Sequence, residues 1–206
     1  MHWWMRLGAY FHRSIANGTD RTFYWLSGRG CPYSCNFCVS GCAPRCKSIV
    51  QLEAELDEIH ERFHPTFLGW MDNLTIPTRH RAMEIAEMHC RKGWGWCYSA
   101  TGHAAHIDEE MLKALAASGC ASILYGVESA NDPIQELIGK KQTVAQLERA
   151  IRLTKEAGIA VQLSAMFGQP GETSEDFRRT IDMVLTAGNP QRPTHNNQGL
   201  SPLMTF

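Results

Sequence analysis

The chain has 206 residues, of which 44% are hydrophobic and 20% charged, and its formal net charge is −1. A chain of this size can build one globular domain with a substantial core. The near-neutral charge gives no electrostatic signal for nucleic acid, and no apolar run approaches the roughly 20 residues of a membrane-spanning helix. Because the N-terminus also lacks the apolar core of a signal peptide, we expect a cytoplasmic protein.

The first part of the chain leads into a loop that carries three closely spaced cysteines. Residues 1–20 show no clear period and are expected to be a linker or extension. The first predicted strand runs from Thr22 to Leu26, and a glycine-containing loop with Cys31, Cys35 and Cys38 follows it at the spacing Cys-x3-Cys-x2-Cys. Thiolates on such a sharply bending loop can converge around a metal centre.

The number of thiolates narrows the kind of metal centre they favour. Thiolates prefer zinc, copper(I) or iron–sulfur clusters. A structural zinc site normally takes four ligands, and a [4Fe–4S] cluster that only transfers electrons usually takes four cysteines. Three cysteines leave one iron open for a small molecule, which favours a cluster that binds a ligand. Cys42 and Cys46 lack partners at matching spacing and are interpreted as loop thiols, although either could complete a zinc site.

Strands and helices alternate along the rest of the chain at intervals of roughly 30 residues. Capping residues at Ser48, Asp108, Thr143 and Thr173 mark the starts of helices. The later predicted strands cover residues 66–71, 94–100, 121–127, 159–166 and 195–201. This alternation predicts an α/β fold of parallel βα units, arranged as a doubly wound sheet or a barrel. Polar residues and glycines recur at the strand ends, where barrel enzymes carry their chemistry.

The three-cysteine loop, with Phe37 just before its third cysteine, resembles the hallmark of the radical S-adenosylmethionine (radical SAM) superfamily. The resemblance extends from about Thr22 to Phe206 and implies a partial, open TIM-type (β/α)6 barrel of parallel strands. Residues 21–206 would then form the radical SAM core, which we expect to be truncated at its C-terminus because relatives continue further. The chain is most similar to the subgroup often associated with a cobalamin-binding domain, which includes methyltransferases and cyclases.

The resemblance also implies cofactor contacts at several strand ends. Asp72 and Asn73 lie where the family binds the methionyl amino group of S-adenosylmethionine, although the commoner Gly-Gly-Glu is missing here. Glu128 lies in a segment similar to the strand-four signature and can accept hydrogen bonds from the ribose or the ammonium, with Ser129 as a second polar contact. Gly168 opens a Gly-x-Pro-Gly-Glu-Thr turn expected beside the adenosine. Each residue could instead be an ordinary turn or cap residue.

The resemblance implies a radical SAM enzyme in which Cys31, Cys35 and Cys38 hold a [4Fe–4S] cluster. The reduced cluster cleaves S-adenosylmethionine, and the 5′-deoxyadenosyl radical takes hydrogen from a small-molecule substrate. Methyl transfer or cyclisation would follow, with cobalamin supplied by a domain outside this chain. The implied electron donor is a flavodoxin or ferredoxin. The radical step needs no acid or base, so no catalytic residue is assigned.

Other functions stay open on the residues alone. A chain that binds the cluster or S-adenosylmethionine without turnover, or an inactive fragment, would keep the same cysteines. A structural zinc protein would use them with Cys42 or Cys46. His103 and His106 follow the third predicted strand, where an acid or base could lie, but a loop histidine is more often exposed to solvent.

Overall fold

The computed structural model describes residues 21–39 and 42–187, and its centre is a five-stranded parallel sheet. The strands in these ranges are β1 (Thr22–Trp25), β2 (Gly28–Arg29), β3 (Arg45–Cys46), β4 (Phe67–Trp70), β5 (Cys97–Gly102), β6 (Cys120–Glu128) and β7 (Ala160–Ala165). The order in the large sheet is β1-β4-β5-β6-β7, while β2 pairs with β3 in an antiparallel ribbon. The carboxyl ends of the five parallel strands therefore meet at one edge.

Helices fill the connections between the parallel strands. They are α1 (Ile49–Phe63), α2 (Arg79–Lys92), α3 (Glu109–Ala117), α4 (Asp132–Leu137), α5 (Val144–Glu156) and α6 (Ser174–Ala187). Ser48 and Thr143 each form a capping box with the residue three positions later, and Asp108 caps α3 through the N–H of Met111. The hydroxyl of Thr173 accepts a hydrogen bond from the backbone N–H of Asp176. These contacts confirm the four predicted helix starts.

One face of the sheet packs against the helices and forms the hydrophobic core. Tyr98 of β5 and Tyr125 of β6 are completely buried there, together with Leu52 and Leu56 of α1. Burial of each large apolar side chain stabilises the fold by about 1.5–3 kcal/mol. The alternation of buried and half-buried residues along β5 shows which face is covered. This packing fixes the strands, and with them the positions of the loops at their carboxyl ends.

The predicted α/β fold of parallel strands is confirmed, and the sheet is part of a TIM-type barrel. The third predicted strand begins at Cys97 rather than Trp94. Gly93 and Gly95 have φ angles of 61° and 81°, which interrupt extended backbone. The predicted strand at 195–201 lies outside the described residues. Neither α4 nor the β2–β3 pair was predicted. Among the helices of residues 21–39 and 42–187, none combines the length and apolar character needed to cross a bilayer.

Candidate active site

The loop with the three cysteines leaves β2 at the carboxyl edge of the sheet. Cys31 and Cys35 are half-buried and Cys38 is exposed, and none of the three is in a disulfide. The backbone turns back on itself where the N–H of Cys38 donates to the carbonyl oxygen of Cys35 at 3.0 Å. The sequence prediction of thiols on a bent loop after the first strand is thus matched by their position.

Asp72 and Asn73, which follow β4, anchor the start of this loop. The Oδ1 of Asp72 accepts hydrogen bonds from the backbone N–H groups of Ser27 at 2.8 Å and Gly28 at 3.0 Å. Its Oδ2 accepts from the hydroxyl of Ser27. The Oδ1 of Asn73 accepts from the N–H of Gly30 at 3.1 Å. Because Asp72 is 9% exposed, most of its hydrogen-bonding capacity serves the loop.

The β2–β3 ribbon brings the two additional cysteines beside the same loop. The N–H of Cys31 donates to the carbonyl oxygen of Cys42 at 3.2 Å. Cys46 lies in β3, directly opposite Gly28 of β2. Both Cys42 and Cys46 are exposed free thiols. The carbonyl of Cys42 thus supports the cysteine loop, and Cys46 lies in a strand rather than in a loop.

The carboxyl end of α4 holds the middle of the loop, next to Cys35. The backbone N–H of Asn36 donates to the carbonyl oxygen of Ile138 at 2.9 Å. The side-chain amide of Asn36 donates to the carbonyl oxygen of Leu137 at 2.8 Å. These two carbonyls lie at the end of a helix, where intrahelical partners run out. The loop residue satisfies both of them, so α4 and the cysteine loop stabilise each other.

Tyr33 connects the loop to the end of β5. Its ring stacks on His103 with centroids 4.0 Å apart, and its hydroxyl lies 2.5 Å from Nε2 of His106. His103 is only 6% exposed, contrary to the expectation of a solvent-exposed loop histidine. Burial lowers the pKa of His103 to about 4, and the positive charge of Lys140 acts in the same direction. The neutral imidazole has a buried Nε2 without a hydrogen-bond partner among the described residues.

A buried ion pair lies at the end of β6. The Nζ of Lys140 donates to Oε1 of Glu128 at 2.8 Å, and the two side chains are 10% and 9% exposed. A Cβ atom at Gly126 would collide with both charged groups, so only glycine leaves room for the pair. Glu128 has a φ angle of 59°, a conformation that is strained for a side chain with a Cβ. The predicted strand-end carboxylate is therefore present, but it is already paired.

Electrostatics tie this ion pair to the cysteine loop. Burial raises the pKa of the Cys35 thiol above its usual value. Lys140 opposes this effect, and does so more strongly than Cys31 or Cys38 reinforces it. Glu128 makes a smaller contribution that raises the pKa. Since charges act on one another strongly only at short range in a partly buried site, the three thiols and the ion pair share one region.

Ser129 and Gly168 lie on neighbouring strand ends in different environments. Ser129 is completely buried, and its Oγ has no partner among the described residues. Gly168 is exposed with a φ angle of 81°, and its N–H donates to Oε2 of Glu172 at 2.5 Å. Glu172 thus folds back over its own turn, as expected for a structural Pro-Gly turn. The two predicted contact residues therefore follow adjacent strands at the same edge.

Sequence reasoning missed Lys140, the cation that pairs with Glu128 at 2.8 Å. The residue lies twelve positions after Glu128, beyond a short helix that periodicity does not reveal. Asn131, which caps α4, and Pro133 in its first turn were the available signals. They could have predicted the helix, but not the ion pair, because that contact depends on the three-dimensional path of the chain.

The arrangement of thiols favours a cluster over a single metal ion. Within residues 21–39 and 42–187, no three His, Cys, Asp or Glu side chains are placed to hold one metal ion together. A zinc ion needs such convergence on one point, whereas the three thiolates of a [4Fe–4S] cluster bind three different iron atoms. Three cysteines on one loop match the ligand count of a cluster with one open iron better than the four ligands of a structural zinc site.

Comparisons with curated proteins agree with this geometry. An uncharacterized methyltransferase of Pyrococcus horikoshii is 29% identical over 160 residues, covering 76% of this chain and 35% of the relative. An anaerobic magnesium-protoporphyrin IX monomethyl ester cyclase of Rubrivivax gelatinosus is 26% identical over 161 residues, covering 76% of this chain and 29% of the relative. The chain thus spans about a third of the length of these curated relatives.

Solved structures share the fold. The radical S-adenosylmethionine methyltransferase TsrM of Kitasatospora setae, with tryptophan and a SAM analogue bound, has a TM-score of 0.71 and 22% identity, covering 82% of this chain and 34% of TsrM. The cobalamin-dependent radical enzyme OxsB, with aqua-cobalamin and S-adenosylmethionine bound, has a TM-score of 0.72 and 20% identity, covering 91% of this chain and 29% of OxsB. The Radical SAM superfamily itself matches residues 25–184. This chain therefore belongs to the Radical SAM superfamily, whose members use a [4Fe–4S] cluster and S-adenosylmethionine.

Proposed function

We propose that Cys31, Cys35 and Cys38 hold the [4Fe–4S] cluster of a radical SAM enzyme. The observation that carries this proposal is the placement of all three cysteines on one loop that is anchored at several points at the carboxyl edge of the sheet. The residues fit the group, because three thiols share one region and none of the eight cysteines is in a disulfide. Cys42 and Cys46 are left outside the ligand set, since neither belongs to the Cys-x3-Cys-x2-Cys spacing of the loop.

The cofactors would carry out the reaction, and the protein would position them. When bound and reduced by one electron, the cluster supplies the reductive cleavage of S-adenosylmethionine that leads to hydrogen abstraction from a substrate. Asp72 and Asn73 fix the start of the loop, and α4 fixes its middle through Asn36. These contacts keep the three thiols at the edge of the sheet where the strand ends would border a ligand of the cluster.

We propose that S-adenosylmethionine lies along the carboxyl ends of β4, β6 and β7. Asp72 and Asn73 border its methionyl end, and Glu128 faces its ribose or ammonium as an acceptor. Ser129 has a buried hydroxyl in need of a partner, which supports a polar contact beside β6. Gly168 lets the backbone approach the adenosine closely. Because Glu128 is paired with Lys140, a ligand here meets a neutral pair rather than a free carboxylate.

The relatives support a proposal for the reaction class. We propose methyl transfer or cyclisation on a small molecule, because the curated relatives named above are a methyltransferase and a cyclase. Residues 21–206 would form the catalytic core, with residues 1–20 as its N-terminal extension. Cobalamin would come from another domain, as the OxsB structure contains it. A low-potential donor such as flavodoxin or ferredoxin would supply the electron in the cytoplasm.

Anaerobic reconstitution with iron and sulfide tests this function. We expect a reduced [4Fe–4S] signal in electron paramagnetic resonance that changes when S-adenosylmethionine is added, because the ligand occupies the open iron. Formation of 5′-deoxyadenosine under reducing conditions then separates an enzyme from a binding module. A preparation that contains zinc but no acid-labile sulfide, or a cluster signal indifferent to S-adenosylmethionine, would contradict the proposal.

A further inference from the structure

Cys42 lies against the start of the cysteine loop, beside the first of its three thiols. The backbone N–H of Cys31 donates to the carbonyl oxygen of Cys42 at 3.2 Å. The sulfur of Cys42 lies at the same place, because a Cβ atom at Gly30 would be 3.0 Å from it. Both the backbone and the thiol of Cys42 therefore border the segment that carries Cys31.

This close approach depends on the missing side chain at Gly30. Its φ angle of 86° lies in the left-handed region that favours glycine. A Cβ atom there would also lie 2.6 Å from the carbonyl oxygen of Cys42 and 2.8 Å from that of Ala43, which is too close for either pair of atoms. Any other residue at this position would push the thiol of Cys42 away from Cys31.

The backbones of Cys31 and Cys42 are close enough to be joined by a disulfide. Their hydrogen bond of 3.2 Å, extended by standard bond lengths on both sides, places the two Cα atoms at most about 7 Å apart. This figure is for a straight path, and any bend at the hydrogen bond shortens it. Disulfides usually join Cα atoms roughly 4.4–6.8 Å apart. Since Cys42 is exposed and Cys31 is half-buried, a dissolved oxidant reaches Cys42 more readily.

Cys46 is an exposed thiol of the same ribbon without this geometry. It lies opposite Gly28, and its Sγ would be 3.3 Å from a Cβ atom there. Gly28 is three positions before Cys31, and each extended residue advances the chain by about 3.3 Å, so Cys46 lies roughly 10 Å along the ribbon from Cys31. Cys46 is therefore the matched control for Cys42.

We propose that Cys31 and Cys42 form a reversible oxidative modification site, whose disulfide blocks assembly of the cluster. Hydrogen peroxide oxidises the thiol of Cys42 to a sulfenic acid and releases one water. The thiol of Cys31 then attacks that sulfur, so the S–S bond forms, the S–O bond breaks and a second water leaves. A dithiol reductant restores both thiols by exchange and is itself oxidised to a disulfide. The effect on the cluster rests on the proposed function, whereas formation of the disulfide does not.

The first measurement maps the disulfides of the cluster-free full chain by mass spectrometry after treatment with hydrogen peroxide. Trypsin and chymotrypsin together cut this region after Arg29, Tyr33, Phe37 and Arg45. Cys31 then lies in peptide 30–33 and Cys35 in peptide 34–37, while Cys38 and Cys42 share peptide 38–45. The variants Cys38→Ser and Cys42→Ser assign a link to one of these two thiols.

The second measurement follows uptake of the cluster. Wild type, Cys42→Ser and the control Cys46→Ser are each treated with hydrogen peroxide and then reconstituted anaerobically with iron and sulfide. Each protein is reconstituted both directly and after dithiothreitol, with the peroxide and the reductant removed first. Iron and acid-labile sulfide per chain give the loading.

We expect one main disulfide, between peptides 30–33 and 38–45, that persists in Cys38→Ser and Cys46→Ser and is missing in Cys42→Ser. Direct reconstitution of oxidised wild type and Cys46→Ser should give about tenfold less cluster than the reduced proteins, because two thiolates do not complete the ligand set. Dithiothreitol should restore loading in both. Cys42→Ser should load equally before and after the same peroxide treatment.

Failure of this inference differs from failure of the proposed function. A main disulfide that joins Cys31 to Cys35, Cys38 or Cys46 would overturn the inference, as would no disulfide at all. An equal loss of loading in Cys42→Ser would also overturn it, because oxidation of other thiols would then be responsible. A reduced wild-type chain that takes up no cluster would instead overturn the proposed function, and the disulfide map would still decide whether Cys31 and Cys42 pair.

Discussion

The two ends of the parallel sheet are built from different residues and carry different properties. At the amino end of β5, Trp94 and Trp96 stack with centroids 4.8 Å apart, and His89 stacks on Tyr98 at 4.3 Å. At the carboxyl end lie thiols, a buried ion pair and an anchored polar loop. The aromatic end has a partly exposed ion pair between Lys92 and Asp57 beside Trp94. The polar end combines a buried ion pair, backbone strain and partly exposed sulfur.

The amino end of the sheet therefore contributes to stability, whereas the carboxyl end carries the groups suited to chemistry. The hydroxyl of Tyr98 lies 2.7 Å from Oγ of Ser118 at the end of α3, so the aromatic end joins the strand to its helices. The polar end costs stability, since it contains a strained Glu128 and a buried charged pair. Parallel barrels tolerate such costs at the carboxyl end because the opposite end and the core fix the strands. Substitutions at the carboxyl end should therefore affect cluster binding most, and substitutions at the amino end should affect the stability of the fold.

The largest expected effect is at the polar end, in the cysteine loop. Alanine at Cys31, Cys35 or Cys38 should each abolish the bound cluster, because two thiolates no longer complete its ligand set. Alanine at Cys42 or Cys46 should leave iron and sulfide content unchanged. Circular dichroism of the metal-free variants should match the wild type, which would show that the fold does not need the thiols. A normal cluster spectrum in any of the first three variants would reject the ligand assignment.

His89, at the aromatic end, should make the free energy of unfolding depend on pH. Burial lowers the pKa of His89 to about 4, below the value near 6.5 expected in the unfolded chain. Between these values the unfolded state binds a proton that the folded state does not, so stability falls as the pH falls through this window. The full loss from this group is about 3 kcal/mol, and it is complete below a pH of about 4.

His89→Phe isolates that contribution. The phenyl ring can keep the stack on Tyr98, and Nε2 of His89 has no hydrogen-bond partner to lose among the described residues. Urea unfolding of the metal-free chain should show similar stability to wild type at pH 8 and a smaller loss at pH 5. The pKa of His103 is also lowered to about 4, so this residue should contribute to the pH dependence of stability in both proteins. A pH dependence identical in both proteins would show that His89 is accessible to protons in the folded state.

The next largest effect concerns the anchor between β4 and the cysteine loop. Asp72→Ala removes the acceptor of three hydrogen bonds from Ser27 and Gly28, leaving buried donors unpaired. We expect a loss of about 2 kcal/mol in the free energy of unfolding, and a lower yield of reconstituted cluster. The exposed Asp182→Ala on α6 provides a control that should change neither quantity. Full loading in Asp72→Ala would mean that Asn73 and α4 suffice to hold the loop.

Much of the fold could be predicted from local signals, and the site only in part. The capping residues Ser48, Asp108 and Thr143 begin helices at the predicted positions, because a cap depends on neighbours within one turn. The cysteine spacing predicted the loop for the same reason. The pairing of Glu128 with Lys140 could not be predicted, since it depends on where α4 and its following turn return to the sheet. Which side chains are buried after a strand could not be predicted either, because burial depends on how distant parts of the chain pack together.

The smallest expected effect lies where the cysteine loop meets the end of β5. Tyr33→Phe keeps the ring that stacks on His103 but removes the hydroxyl that lies 2.5 Å from Nε2 of His106. Because this contact is exposed, its loss should cost about 0.5–1 kcal/mol, and the cluster should still assemble. Tyr33→Ala also removes the stack, so it should release iron to a chelator faster than Tyr33→Phe does. Equal release rates in the two variants would show that the stack of Tyr33 on His103 does not hold the cysteine loop to the end of β5.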